Sequence, residues 1–239
     1  MIEIKDLSKS LGEKRLFSNI NFSLNDKKIT GLLGANGAGK TSLFRAIAGL
    51  SKVDNGRINF FSENLTSKNI EERSKLGLSY VPQENSLFDE LTLRENLEIV
   101  IELKFKKLEK SKLQEIDHYL SRMNLESKQH TKAKLLSGGE KRKSEILRSI
   151  LLNAKFILLD EPFAGVDPIS VDEINKILKD LSMRIGIFIS DHNFRDVIKV
   201  CDNIILMNEG EVLLKGSSQE IMDDPIANGA GHGAIPVNQ

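Results

Sequence analysis

One glycine-rich stretch, residues 34–41, constrains this chain more than any other part of its sequence. It reads GANGAGKT and fits the pattern G-x-x-x-x-G-K-[ST] at every specified position. Glycines let a backbone turn sharply and bring its N–H groups close to phosphate oxygens, because no Cβ blocks the approach. Lys40 can then reach the β- and γ-phosphates of a nucleotide, and the Thr41 hydroxyl can ligate Mg²⁺. We therefore predict a nucleotide site that contains Gly34, Asn36, Gly37, Ala38, Gly39, Lys40, Thr41 and Ser42.

The residues on either side of this phosphate loop support the same interpretation. Residues 29–33 form an apolar run suited to a buried strand, and residues 42–50 have the apolar spacing of a helix. A helix that begins after the loop adds the partial positive charge of its N-terminus to a phosphate site. The order strand, loop, helix therefore strengthens the prediction of a nucleotide site.

Composition and charge argue against several classes of protein. The chain has 34 Lys and Arg residues and 34 Asp and Glu residues, so its formal net charge of +0 gives no general reason to expect a nucleic-acid partner. No apolar run approaches the roughly 20 residues that cross a bilayer, and the N-terminus lacks the pattern of a signal peptide. We expect a cytosolic protein whose single cysteine, Cys201, is a small buried residue.

The remaining pattern predicts an α/β fold that forms one catalytic unit. Alternating residues at 2–4 and 22–24, with a β-rich run at 57–61, indicate an antiparallel sheet beside the nucleotide. Residues 91–152 have helical spacing and no strand pattern. Apolar runs typical of buried strands occur at residues 78–81, 155–160 and 187–189, and a hairpin is expected around residues 208–211.

Polar residues follow three of these apolar runs, where they can meet at one edge of a sheet. Asp160 is placed to hold Mg²⁺ through a water molecule, and Glu161 beside it could polarise an attacking water. Gln83, at the end of another strand, could reach Mg²⁺ or its water. For His192, at the end of the run at 187–189, we expect a contact with the γ-phosphate.

A second glycine motif, LSGGE at residues 136–140, interrupts the helical pattern before a helix resumes at Lys141. Two glycines at a helix N-terminus form a second potential phosphate contact, distinct from the phosphate loop. Farther on, Asp167 and Pro168 are predicted to cap and open the next helix.

Taken in this order, the phosphate loop, Gln83, LSGGE, ILLDE at 157–161, Asp167 and His192 resemble the motifs of ATP-binding cassette (ABC) ATPases. The resemblance covers residues 1–225. It implies an α/β fold with a RecA-like P-loop NTPase core, an antiparallel β-subdomain and a helical subdomain inserted at about residues 89–152.

The resemblance also implies roles for the site residues. It implies a homodimer with two shared ATP sites, in which Ser137, Gly138 and Gly139 of one subunit complete the phosphate-loop site of the other. Glu161 is then the general base, and His192 contacts the γ-phosphate. ATP and Mg²⁺ are the implied cofactors, with Thr41, Gln83 and Asp160 as the metal-binding residues.

Within the ABC ATPases, the run DEPFAGVDPISV at residues 160–171 is similar to the ATPases of lipopolysaccharide-export transporters, as are DHNFRD at 191–196 and the basic LSGGEKRK. This similarity implies a subunit that powers lipopolysaccharide extraction from the inner membrane and is bound to the cytoplasmic face through a permease. ATPases of branched-chain amino-acid importers share the catalytic chemistry and stay an alternative. A soluble ABC switch, an alternative from another class, usually carries two cassettes or a long coiled-coil insertion. A small-molecule kinase leaves LSGGE unexplained.

Two segments depart from the ABC pattern. Leu11 lies where the family commonly has an aromatic residue that stacks on adenine, so base stacking by that route is not expected. Residues 226–239 are glycine-rich and do not look like the family's ending. We expect this tail to be flexible and assign no ligand role to His232.

The segment 83–96 joins the catalytic sheet to the helical part and contains two apolar residues in an acidic and polar loop. Such residues either pack internally or meet a partner. For Leu87 both interpretations stay open. For Phe88 we expect partner contact, because the resemblance implies a groove that receives a short cytoplasmic helix of the membrane subunit.

Overall fold

A six-stranded, mostly parallel sheet forms the centre of the computed structural model, which describes residues 1–224. The predicted tail, residues 226–239 with His232, lies outside the described residues. In spatial order the strands are β10 (Glu211–Ser217), β9 (Asn203–Asn208), β3 (Ile29–Leu33), β8 (Gly186–Ser190), β7 (Phe156–Asp160) and β6 (Leu78–Val81). Only β10 runs antiparallel to its neighbour. Every residue of β3, β7 and β8 is buried, which explains their continuous apolar runs.

A second, antiparallel sheet packs beside the first one. It contains β1 (Ile2–Leu11), β2 (Lys14–Leu24), β4 (Asn55–Phe60) and β5 (Glu63–Asn64), in the order β2-β1-β4-β5. Helix α1 (Lys40–Ala48) lies between the two sheets, and the ring of Phe44 stacks on that of Phe188 with centroids 4.6 Å apart. The sheet predicted beside the nucleotide is therefore present and shares a core with the phosphate-loop helix.

Helices account for most of residues 91–152, as the sequence pattern predicts. They are α3 (Leu93–Phe105), α4 (Lys110–Arg122) and α5 (Gly138–Leu151), with 3₁₀ turns at Glu126–Lys128 and Ala133–Leu135. Their apolar faces form a cluster of their own around Leu97, Leu120 and Leu147. The remaining helices are α2 (Ile70–Leu76), α6 (Pro168–Ser182), α7 (Phe194–Val200) and α8 (Ser218–Asp223).

Two helices begin earlier than the apolar pattern predicts. Helix α1 begins at Lys40 and α5 at Gly138, so the last residues of both glycine motifs are helical. In α5 the Ser137 hydroxyl accepts the N–H of Glu140, which stabilises the first turn without any apolar residue. Among the described residues, no helix is long and apolar enough to span a membrane. Cys201 is buried, as predicted.

Candidate functional site

The phosphate loop connects β3 to α1 along a path that depends on its glycines. Gly37 and Gly39 have φ values of 83° and 98°, which residues with side chains rarely adopt. A Cβ on Gly39 would lie 2.5 Å from the Leu16 carbonyl oxygen, and one on Gly34 would lie 2.2 Å from the Met207 carbonyl oxygen. The loop can therefore follow this path only with glycine at these positions.

Lys40 lies in the first turn of α1 with only 5% of its surface exposed. Its Nζ donates to the carbonyl oxygens of Gly34 at 2.6 Å and Ala35 at 3.0 Å. Burial lowers the pKa of this ammonium group, although the charge of Glu161 acts in the opposite direction. The loop thus holds a partly desolvated cation, which interacts with a phosphate more strongly than a solvated one does.

A cavity of about 260 Å³ lies against the phosphate loop. It is lined by Asn36, Gly37, Gly39, Lys40, Thr41 and Ser42, by Lys14, Arg15 and Leu16 of β2, and by Glu161. Two predicted loop residues do not line it: Gly34 accepts from Lys40, and Ala38 is buried. Leu11 does not line the cavity either and is 71% exposed.

Asp160 is the last residue of β7, directly before Glu161, and is 1% exposed. Its Oδ2 accepts a hydrogen bond from the Tyr80 hydroxyl at 3.2 Å, whereas its buried Oδ1 has no hydrogen-bond partner in the described structure. Burial raises the pKa of this carboxyl group, although the neighbouring side chains of Tyr80 and Ser190 act in the opposite direction. The sequence pattern identified Asp160 but gave no reason to pair it with Tyr80.

Glu161 has an unusual backbone conformation, with φ at 45°. This left-handed conformation is costly for a residue with a side chain and often occurs at functional sites. The Glu161 N–H donates to the Ser190 carbonyl oxygen at 2.7 Å, which ties the turn to β8. Its Oε2 accepts from Nε2 of Gln83 at 2.9 Å. Gln83, Asp160 and Glu161 therefore meet at one edge of the parallel sheet, as predicted.

His192 joins this group from the end of β8, and its side chain is 52% exposed. Its Nδ1 lies 3.5 Å from Oε2 of Glu161 and 3.6 Å from Oδ1 of Asp191. The same Oδ1 accepts the backbone N–H groups of His192 at 2.7 Å and Asn193 at 2.8 Å, so the buried Asp191 fixes this turn. Burial raises the pKa of Asp191. Sequence reasoning gave Asp191 no role at this edge.

The LSGGE motif forms the N-terminus of α5. Ser137 and Glu140 form a capping box, in which each side chain accepts the other residue's backbone N–H. A Cβ on Gly139 would lie 2.3 Å from the Ser170 hydroxyl of α6, so this position needs glycine for packing as well. None of residues 137–139 lines the phosphate-loop cavity in the described part of the chain. A single subunit therefore presents two separate candidate phosphate contacts.

Residues 17–164, more than half of the chain, match the family described as ABC transporter. The chain belongs to the ABC transporter family. As an ABC protein it is an ATPase, and its site binds nucleotide. The predicted family, fold class and reaction are thus confirmed.

Curated relatives are similar to this ABC ATPase along almost its whole length. The lipopolysaccharide export system ATP-binding protein LptB of Haemophilus influenzae is 38% identical over 94% of this chain and 93% of that protein. Proteins of the same description from Acidithiobacillus ferridurans and Escherichia coli K12 are 40% and 35% identical. These two matches cover 95% and 92% of this chain and 94% and 92% of the relatives.

Solved ABC cassettes have the same fold. An ATP-binding cassette of an ABC transporter in its ADP conformation superimposes with a TM-score of 0.88 at 26% identity, covering 98% of both chains. The structure of cbiO1 from Clostridium perfringens, part of the ABC transporter complex cbiONQ, gives 0.83 at 28% identity and covers 93% of this chain and 90% of that one.

In this ABC ATPase, α5 also holds the loop at residues 83–88. Arg142 donates to the carbonyl oxygens of residues 82 and 83 at 2.8 and 3.1 Å and pairs with the buried Glu145 at 3.0 Å. Glu145 Oε1 in turn accepts the N–H and the hydroxyl of Ser86 at 2.6 and 2.8 Å. The helix that begins with LSGGE is therefore hydrogen-bonded to the loop that carries Gln83. Sequence reasoning missed both Arg142 and Glu145.

Leu87 and Phe88, at the end of this loop, have opposite environments. Leu87 is 6% exposed and packs in the apolar cluster of the helices, so internal packing is the correct interpretation for this residue. Phe88 is 47% exposed. The Arg148 guanidinium lies 5.9 Å from the centre of the Phe88 ring and donates to the Ser86 carbonyl oxygen at 2.7 Å. Phe88 is thus an exposed aromatic ring on a loop that is hydrogen-bonded to α5.

Proposed function

We propose that this ABC ATPase powers a lipopolysaccharide-export transporter. The observation that carries the proposal is the similarity to three proteins described as lipopolysaccharide export system ATP-binding protein LptB, at 35–40% identity over 92–95% of this chain. These relatives favour export over the branched-chain amino-acid importer and over a soluble ABC switch. The proposed location is the cytoplasmic face of the inner membrane, where the subunit is held by its permease.

The oxygen atoms of Thr41, Gln83 and Asp160 fit a Mg²⁺ ion that is bound together with a nucleotide. Within the described residues, no group of three or more His, Cys, Asp or Glu side chains could hold a metal ion. A nucleotide-bound Mg²⁺ needs few protein ligands, because phosphate oxygens and water fill most of its positions. Thr41 and Gln83 would hold it directly, and Asp160 through a water molecule. The buried Asp160 Oδ1 accepts no hydrogen bond of good geometry from residues 1–224, which supports this assignment. Mg²⁺ supplies neutralisation of charge on the phosphate oxygens.

Glu161 is the proposed general base for the attacking water, and His192 the proposed contact of the γ-phosphate. The Gln83 amide donates to Oε2 of Glu161, and the carboxylate keeps its other oxygen to accept a water proton. The Gln83 amide nitrogen therefore lies at Glu161, and its amide oxygen is the atom proposed to reach Mg²⁺. Lys40, with the phosphate loop, binds the phosphates.

The proposed active form is a homodimer with two shared ATP sites. Residues 137–139 lie outside the cavity of their own subunit, which agrees with a role against the partner's ATP. Two N–H-bearing glycines at the start of α5 would then contact phosphate oxygens across the interface. We also propose that residues 1–225 form the ABC ATPase domain, with the helical subdomain at about 89–152.

The membrane partner is proposed to dock at Phe88. Its exposed ring, next to the cationic Arg148, offers an apolar contact on a loop that also contains Gln83. Nucleotide-dependent movement of Gln83 could therefore reach the partner.

Partner capture tests both the transporter class and the docking site. Wild-type protein purified from membranes with its partner should recover a lipopolysaccharide-export permease. Phe88→Ala should lower this recovery several-fold, the usual effect of removing an aromatic anchor, and should leave ATP binding unchanged. Phe61→Ala is the matched control, because Phe61 is also 47% exposed but lies after β4. Recovery of an amino-acid permease would contradict the proposed function, and equal recovery with Phe88→Ala would contradict the docking site.

A further inference from the structure

We propose that Tyr80 is a positioning residue that orients the Asp160 carboxylate toward Mg²⁺ in the ATP site. This inference rests on the proposed Mg²⁺ site and adds to it a residue that does not itself bind the metal or the nucleotide.

The contact joins two neighbouring strands of the parallel sheet. Tyr80 lies on β6 and Asp160 at the end of β7, and the register pairs Tyr80 with Leu158. The phenolic hydroxyl donates to Asp160 Oδ2 at 3.2 Å. A phenol is protonated at neutral pH, so Tyr80 is a hydrogen-bond donor to this carboxylate.

The other oxygen of the same carboxylate is left for the metal site. Asp160 Oδ1 is buried and accepts no hydrogen bond of good geometry from the described residues, although a buried acceptor is rarely left unpaired. The Ser190 side chain, across the sheet on β8, lies close enough to the carboxyl group to lower its pKa, but its hydroxyl also has no partner of good geometry within residues 1–224. A neutral donor on Oδ2 fixes the carboxylate plane without cancelling its charge. A lysine or arginine in place of Tyr80 would pair with the carboxylate and compete with a cation. The geometry thus keeps one oxygen charged, oriented and available.

The segment from Tyr80 to Gln83 contacts both acids of the site in different ways. Gln83, in the loop after β6, donates to Glu161, whereas Tyr80 lies within the strand and donates to Asp160. Because β6 is paired with β7 along its whole length, Tyr80 keeps its place when the loop moves. Gln83 can therefore release Glu161 while Tyr80 continues to hold Asp160.

The test compares the two tyrosines of the chain. Tyr80→Phe removes only the hydroxyl, and Tyr119→Phe on α4 is the matched control. Binding of a fluorescent ATP analogue is measured in EDTA and then at increasing Mg²⁺ concentration. In EDTA we expect Tyr80→Phe to bind the ATP analogue as tightly as wild type does. The Mg²⁺ concentration that gives half of the Mg²⁺-dependent gain in affinity should rise about tenfold, which corresponds to the loss of one hydrogen bond to a charged group. Tyr119→Phe should match wild type in both conditions.

Three results would overturn the role of Tyr80. One is an unchanged Mg²⁺ requirement, and another is an equal loss of affinity in EDTA, since that loss would reflect a general structural role. The third is an additive effect of Tyr80→Phe in a protein that already carries Asp160→Asn. If Tyr80 acts through Asp160, Tyr80→Phe should not change the Mg²⁺ requirement of that variant any further. If the affinity of the wild-type protein for the ATP analogue does not depend on Mg²⁺, that result would instead contradict the proposed metal site itself. Thermal unfolding of each variant verifies that it is folded.

Discussion

Glu161 combines the features expected of a catalytic residue in this site. It has a strained backbone, lines the phosphate-loop cavity and lies within reach of both Gln83 and His192. The sequence predicted its position from one apolar run followed by two acids. It could not predict the positive φ or the hydrogen bond with Gln83, because both depend on how β6, β7 and β8 are placed side by side.

Replacing Glu161 with Gln should leave ATP binding intact and slow hydrolysis, because an amide cannot accept the proton of the attacking water. The expected loss is about 10²–10⁴-fold in single-turnover hydrolysis, the typical contribution of a general base. ATP should then hold the protein as a dimer in size-exclusion chromatography. Glu209→Gln is a suitable control, because Glu209 is exposed and has a similar φ of 46°. Hydrolysis by Glu161→Gln at the wild-type rate would refute the assignment.

Leu11 offers a separate test of base recognition. Its side chain is 71% exposed and does not line the phosphate-loop cavity, so phosphate contacts should dominate affinity. Introducing Tyr at Leu11 should tighten ATP binding by about 1 kcal/mol if the ring stacks on adenine. Competition binding with ATP and GTP measures this effect, with Leu11→Ala as the control. No change in affinity would mean that adenine does not lie near Leu11.

At the scale of elements, the sequence predicted strands and long helices better than it predicted buried polar contacts. Apolar runs identified β3, β7 and β8 because both of their faces are covered. Helix α2 was missed, since it is short and its buried residue is Arg73 rather than an apolar one. In α5, opposite charges at Arg142 and Glu145 lie one turn apart on a buried face, a signal that could have indicated an internal ion pair.

Arg73 connects α2 to the end of α1 through hydrogen bonds of its side chain. It is 2% exposed, and its guanidinium donates to the carbonyl oxygens of Ala46, Ile47 and Leu65 at 2.6–2.7 Å. Burial lowers its pKa to about 10, so it stays charged at neutral pH. Arg73→Met leaves these buried carbonyls without a donor and should lower the free energy of unfolding by about 3 kcal/mol or more.

Urea denaturation of Arg73→Met and Arg122→Met compares a buried guanidinium with an exposed one. Arg122 forms an exposed ion pair with Asp180, which should contribute less than about 1 kcal/mol. Similar losses of stability in the two variants would contradict the role assigned to Arg73.

Ser137 should matter for hydrolysis beyond its role as a helix cap. Loss of a cap costs about 1 kcal/mol of stability. Ser217 caps α8 with the same capping box, so Ser217→Ala is the matched control. We expect Ser137→Ala to lose hydrolysis and Ser217→Ala to keep it, with ATP binding by the isolated subunit unchanged in both. Loss of ATP binding by monomeric Ser137→Ala would contradict the shared site.

At the scale of the whole molecule, α5 connects the parts of the proposed cycle. Its first turn carries residues 137–139, its middle carries Arg142 and Glu145, and its last part places Arg148 beside Phe88. In the proposed dimer, a change at α5 caused by the partner's ATP would therefore reach both Gln83 and the proposed docking residue Phe88. Motif order in the sequence predicted the end points of this path, whereas the hydrogen bonds along it required the structure.

Dimer sharing can be measured by mixing inactive subunits. Lys40→Ala disables the phosphate loop and Ser137→Ala the second motif, so a mixed dimer keeps one composite site with neither change. Hydrolysis should be absent with either variant alone and partly restored in the mixture. A mixture as inactive as its components would argue that each subunit works alone.

Transport in a reconstituted system tests the central proposal most directly. This subunit is assembled with lipopolysaccharide-export permease subunits in proteoliposomes, and release of lipopolysaccharide is followed after ATP is added. The account predicts ATP-dependent release with wild-type protein and none with Glu161→Gln. Assembly and ATP hydrolysis without release, or coupling to an amino-acid permease in the same assay, would contradict it.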